Sequence, residues 1–185
     1  MPMTPFFDEV WTDGACRRNG YPDAVGGAGV WFPYLPDDRL SEPLPPSPPP
    51  TNQRAELTAI VLALEVAHKR QAGVWSSNVQ SPFFVLTVYT DSQYAVNCLT
   101  QWIFDWKRNE WRTANEESVR NADLIEEADR LRAKIEGEFG GGRVNFKWIP
   151  RAENTKADRL ANDGCDKAER AIELQRNTYG GAYYN

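Results

Sequence analysis

Apolar residues recur at two different periods along the chain, and the switch between them marks out the elements. Short apolar and β-branched runs come first. Val10-Trp11-Thr12 leads into Asp13-Gly14-Ala15, which predicts a strand passing into a turn. Gly26 to Phe32 reads as a second strand with a Gly-rich start, and Arg39 to Leu44 as a third, short edge strand. The run Pro45-Pro46-Ser47-Pro48-Pro49-Pro50 predicts a stiff extended loop, because proline fixes φ and removes the backbone donor. From Thr51 the period lengthens. Ala55, Leu57, Ile60, Val61, Leu64 and Ala67 lie three and four apart, the stripe of an amphipathic helix that Thr51 or Asn52 can cap.

Residues 71–82 read as a loop. Phe83 to Thr90 is β-branched and aromatic, which predicts a buried strand ending at Asp91. Ser92 to Thr100 reads as helix. Val119 to Ile135 is a further amphipathic helix closed by Gly137, and Gly140-Gly141-Gly142 a turn. Arg143 to Ile149 alternates as a strand does, and Asn154 to about Gln175 forms a final helix. Five strands with interleaved helices predict a single α/β domain over residues 8–175, with an N-terminal extension at 1–7 and a C-terminal tail at 176–185.

Composition narrows the class. Of 185 residues, 41% are hydrophobic and 25% charged, as in an ordinary globular chain that buries a core without staples. Cys16, Cys98 and Cys165 are odd in number and unrelated in spacing, against a disulfide framework or a Cys-ligated zinc site. An intracellular, reducing compartment is expected. No apolar run approaches the roughly 18 residues of a membrane span, and Met1 to Phe7 has no signal-peptide pattern. No membrane association and no obligatory protein partner is expected, and the chain should be a monomer. The net charge of −5 is the wrong sign for phosphate contact. Nucleic acid would have to meet local basic patches, and the acidic excess calls for another use, such as holding metal ions.

Four carboxylates suit that use. Asp13 and Asp91 each end an apolar strand and follow a threonine, Glu56 sits one turn into the first long helix, and Asp158 lies near the start of the last. Ligands in open α/β sheets gather at strand ends and helix starts. Oxygen ligands from separated elements fit Mg²⁺ or Mn²⁺. Two such ions about 4 Å apart can hold an attacking water and a leaving oxygen around one phosphodiester.

Thr12-Asp13-Gly14-Ala15, Thr51-Asn52-Gln53-Arg54-Ala55-Glu56, Tyr89-Thr90-Asp91-Ser92 and Ala157-Asp158-Arg159-Leu160-Ala161 occur in that order. Together, over about residues 8–168, they resemble the type 1 ribonuclease H family. The resemblance implies a five-stranded mixed sheet flanked by helices, two Mg²⁺ ions, and hydrolysis of the RNA strand of RNA–DNA hybrids to 5′-phosphate and 3′-hydroxyl ends. By motif match it implies that Asp13, Glu56, Asp91 and Asp158 bind the metals and that Glu56 helps position the attacking water. It implies RNA-strand contacts at Asn19, Asn52 and Gln53, whose amides can both donate to and accept from a 2′-hydroxyl. Tyr94, Trp102 and Trp106 resemble a channel packing on the DNA strand's sugars, and Thr51 and Asn121 a DNA-phosphate pocket. Residues 101–117, with Lys107, Arg108 and Arg112, resemble the family's basic protrusion, diluted by Asp105, Glu110, Glu116 and Glu117.

The pattern departs from the family in three places. Its single histidine, His68, lies on the first helix, so the mobile-loop histidine of many members is missing. Arg151, seven residues before Asp158, stands in a shortened loop that resembles histidine-less, archaeal-type members. It cannot be a general base, because a guanidinium stays protonated, but it can bind phosphate or stabilise developing charge. Pro49 replaces the arginine of a strong phosphate pocket. Asp13 also lies so near the N-terminus that no separate hybrid-binding domain is expected ahead of it. The alternatives are the ribonuclease H domain of a reverse transcriptase or retroelement polyprotein, an exonuclease of the wider fold, and a catalytically inactive hybrid-binding module.

Overall fold

The computed structural model describes residues 6–34, 39–75, 84–138 and 142–180. The strands are β1 (Phe6–Arg17), β2 (Val25–Trp31), β3 (Arg39–Pro43), β4 (Phe84–Thr90) and β5 (Arg143–Trp148). The helices are α1 (Asn52–Trp75), α2 (Gln93–Asn97), α3 (Ile103–Arg108), α4 (Ala122–Glu138) and α5 (Thr155–Gly180). The strands form one mixed sheet in the order β3-β2-β1-β4-β5. β1 pairs antiparallel with β2 and parallel with β4, β2 antiparallel with β3, and β4 parallel with β5. The parallel β1–β4 pair needs a crossover, and α1 lies within it.

α1 and α4 pack together over the buried core, where Val10, Leu57, Ile60, Leu64, Leu86, Val88 and Ile125 are among the fully enclosed side chains. Enclosing a side chain of this size is worth about 1.5–3 kcal/mol against exposure. α5 lies across β1, β2 and β3. It approaches so closely that a Cβ on Gly29 would come within 2.3 Å of the Ala157 carbonyl oxygen. This contact fixes the start of α5, and hence Asp158, against β2.

Several boundaries differ from the sequence reading. β1 does not turn at Asp13: Asp13 to Arg17 stay paired with Gly29 to Val25. Gly14 is there for room, since a Cβ would lie 2.1 Å from the Glu56 backbone nitrogen. Phe6 and Phe7 belong to β1, paired with Phe84 and Val85, and not to an extension. α1 continues to Trp75, past the start of the expected loop at residue 71. The helical path after Ser92 does not stop at Thr100; a π-helical turn (Cys98–Trp102) leads into α3, so the expected protrusion begins as helix. α4 starts at Ala122 instead of Val119, whose N–H bonds to the Trp111 carbonyl, and Gly137 lies inside that helix. α5 runs to Gly180, into the expected tail. Phe83, Gly140 and Gly141 lie outside the described residues. Thr51 caps α1, its Oγ1 accepting the Arg54 N–H at 3.2 Å. Among the described residues no helix is long and apolar enough to cross a membrane.

Candidate active site

The last pair in the β1–β4 ladder is Thr12 with Thr90. Beyond it β4 ends while β1 stays with β2, and the sheet opens a notch where Asp13 and Asp91 stand side by side. α1 presses against Gly14 and brings Glu56 to the same place. One carboxylate oxygen from each of Asp13, Glu56 and Asp91 lies within 4.8 Å of the others.

Asp91 is fixed from two sides. The Trp148 indole N–H donates to its backbone oxygen at 3.1 Å. The Asn154 amide donates both to Asp91 Oδ1, at 2.8 Å, and to the Thr12 carbonyl, at 3.0 Å. Asn154 is 1% exposed, so its single carboxamide clamps β1 to the end of β4 from the start of α5. No local signal in the sequence gives it a role. An asparagine four residues before the last acid is also an ordinary helix-start residue, and its partners lie far away in the chain.

The electrostatics are unfavourable for bare carboxylates. Burial pushes the Asp13 carboxyl up to about 7, helped by the Asp91 charge and opposed by the Gly14 N–H, which donates to Asp13 Oδ1 at 2.8 Å. Burial, then the charges of Asp13 and Asp91, pushes Glu56 up to about 9. Glu56 Oε2 is buried and has no hydrogen-bond partner. An orphaned buried oxygen facing two more acids is what a bound cation would relieve, and the donor set is all oxygen. These residues therefore fit a divalent cation.

Asp158 stands apart from the compact trio. Its Oδ1 is held by the Arg151 guanidinium at 2.6 Å, and Asn162 donates to its backbone oxygen at 2.9 Å. The two residues singled out around the last helix are thus partners, with Arg151 largely exposed.

The expected substrate residues fall into two groups joined by their own contacts. Asn19, Asn52 and Gln53 are exposed around the start of α1, and Asn19 Oδ1 accepts the Asn52 N–H at 3.3 Å. Tyr94 and Trp102 meet edge-on with centroids 6.1 Å apart, and Trp102 and Trp106 are 5.7 Å apart. Trp106 packs against the core, whereas Trp102 is 38% exposed. Asn121, at φ 57°, donates to the Tyr94 hydroxyl at 3.3 Å and accepts from Arg54, which also forks onto Asp123 at 3.0 and 2.7 Å. The protrusion is less basic in space than in sequence: Lys107 pairs with Asp129, Arg108 with Asp105, and Arg112 donates to the Glu116 carbonyl. His68 lies away from this group, bonded to Glu138 at 2.7 Å. The three cysteines are free.

An α/β sheet with an oxygen-only carboxylate trio, from β1, the end of β4 and the first turns of α1, defines the class: an enzyme domain with a site suited to hard divalent cations. The RNase H family model matches residues 8–166, and the chain belongs to that family. It is 40% identical over 163 residues to the ribonuclease H of Halorhodospira halophila, across 86% of this chain and 93% of that one. To the ribonuclease H of Alkalilimnicola ehrlichii it is 37% identical over 166 residues, across 88% and 97%. Among solved structures, LC11-RNase H1 in complex with RNA/DNA hybrid is similar in fold, with a TM-score of 0.54 at 24% identity over 87% of this chain and 98% of that one.

Proposed function

We propose that the chain cuts the RNA strand of RNA–DNA hybrids internally, leaving 5′-phosphate and 3′-hydroxyl ends. The observation that carries this is the oxygen trio of Asp13, Glu56 and Asp91, within 4.8 Å, in a chain of the RNase H family. Family membership supports the hydrolase, and the hybrid-bound relative of the same fold supports the substrate.

Two Mg²⁺ ions, with Mn²⁺ as a substitute, are the cations proposed for Asp13, Glu56, Asp91 and Asp158. They supply Lewis-acid stabilisation of phosphoryl charge and an acidified water. The chain's own groups do the rest. Asn154 holds the Asp91 carboxylate in place. Glu56, the most strongly raised acid, helps position the attacking water. Arg151 can turn its fork from Asp158 to a phosphate oxygen, since its side chain is largely in solvent. Asn19, Asn52 and Gln53 read the RNA strand through 2′-hydroxyls. Tyr94, Trp102 and Trp106 pack on DNA sugars, and Thr51 and Asn121 receive a DNA phosphate. The test is a hybrid with an end-labelled RNA strand, incubated with and without Mg²⁺. Internal metal-dependent cuts in the RNA alone support the reading, and equal cutting of DNA duplex contradicts it.

A further inference from the structure

Much of the positive charge of this acidic chain near the protrusion and the start of α1 is spent within the protein. Arg17, Arg18, Arg54, Lys107 and Arg108 all sit in ion pairs, including two of the three basic residues of the protrusion. One group differs. Lys156 and Arg159, exposed on the first two turns of α5, and Arg39 at the start of β3 line an open groove of about 390 Å³ with Trp31, Leu160 and Asp163. Among the described residues, none of these three cations has an ion-pair partner, and Asp163 is the only acid in the lining. Asp37 and Asp38, which precede Arg39, lie outside the described residues. The Lys156 ammonium lies 4.0 Å over the Trp31 ring, which holds it in place without neutralising it.

The groove shares a face of the sheet with the site. Trp31 is paired across the strands with Trp11, and Trp11 with Tyr89, at centroid distances of 5.1 and 4.6 Å. Trp11 and Tyr89 stand two residues before Asp13 and Asp91, on the same face of the sheet. On α5, Arg159 is about 100° and Lys156 about 200° round the helix from Asp158. A duplex whose axis runs across a helix about 10–12 Å wide presents about three phosphates of each strand over that distance, at ~3.4 Å of axis each. We propose that this groove binds phosphates of the hybrid beyond the scissile bond, and that it supplies the salt-sensitive affinity the neutralised protrusion does not. The proposal rests on the ribonuclease H reading for the identity of the nucleic acid.

The experiment compares the wild-type protein with the double variant Lys156→Gln/Arg159→Gln. Binding of a fluorescent RNA–DNA hybrid is followed by anisotropy in EDTA from 50 to 200 mM salt, and turnover is measured separately with Mg²⁺. Both residues are exposed, and an unchanged melting temperature confirms the fold. Two lost phosphate contacts flatten the salt dependence, so the wild type should lose about tenfold more affinity than the variant over that range. KM should rise and kcat stay as it is. Identical salt slopes in a wild-type protein that cuts hybrid would overturn the groove and leave the ribonuclease H reading standing. A wild type that neither binds nor cuts hybrid would overturn both.

Discussion

The side-chain nitrogen of Asn154 lies 2.8 Å from Oδ1 of Asp91, a residue 63 positions earlier in the chain. The same nitrogen reaches the Thr12 carbonyl, so one buried amide ties the start of α5 to β1 beside Asp13 and to Asp91 just beyond β4. Removing it leaves two acceptors unmet, a loss of about 1–3 kcal/mol. Asn154→Ala should lower kcat by about 10- to 100-fold on that scale while KM changes little. Asn154→Asp should be worse, because it adds a carboxylate beside Asp91. Steady-state kinetics with a melting curve for each variant checks this; wild-type kcat in a folded Asn154→Ala protein would remove Asn154 from the set.

Metal-free stability should reveal the strained acids. Asp13 and Glu56 titrate near 7 and near 9 in the folded chain, against 3.8 and 4.5 as free groups. Between those values the folded state keeps protons that the unfolded state has lost, so stability falls as pH rises. Glu56→Gln should therefore raise the melting temperature of the metal-free protein at pH 8, at about 2–4 °C per kcal/mol, and make little difference at pH 4. Added Mg²⁺ should stabilise the wild type more than the variant. A variant no more stable than wild type in EDTA at pH 8 would argue against the buried charge.

Arg151 makes a sharper test than the other loop residues, because its partner is known. Arg151→Ala frees Asp158 and removes a fixed positive charge. Turnover should drop by roughly 10- to 1000-fold, with a smaller effect on hybrid affinity. Arg151→Lys should recover part of the loss, since an ammonium lacks the planar fork. The dependence on pH should lack the near-neutral step a histidine would give. Turnover equal to wild type in Arg151→Ala would make the ion pair to Asp158 merely structural.

The protrusion should matter less than its sequence implies. Lys107→Gln/Arg108→Gln/Arg112→Gln removes three cations, of which Lys107 and Arg108 are already paired with carboxylates. Exposed pairs of this kind contribute about 0–1 kcal/mol each. Hybrid affinity at low salt should fall by less than about tenfold. A loss of several hundredfold would show that these side chains leave their partners for phosphate.

The sheet, its five strands and the segments bearing the acids were legible because period and strand-end position are local signals. The geometry of the acids was not. Asp158 carries a salt bridge from Arg151 and its charge still bears on Asp13, neither of which the spacing of two residues in a loop and a helix start can show. Gly14 looked like a turn residue, since glycine permits turns. It is in fact the gap through which α1 approaches β1, visible only once both elements are placed. The protrusion's dilution by Asp105 is visible in the sequence, but Asp129, which pairs with Lys107, lies on another helix and is not. The end of α5 was placed early because its apolar stripe fades. Glu, Gln, Arg and Ala still favour helix without one.

The most direct test is the Asp91→Asn protein on a hybrid with an end-labelled RNA strand in saturating Mg²⁺. The substitution removes one charge from the trio while keeping the volume and the fold. The wild type should give internal RNA cuts with 3′-hydroxyl ends, and the folded variant none above background. Near-normal cleavage by Asp91→Asn would contradict the assignment of the Asp13, Glu56 and Asp91 notch as the catalytic centre.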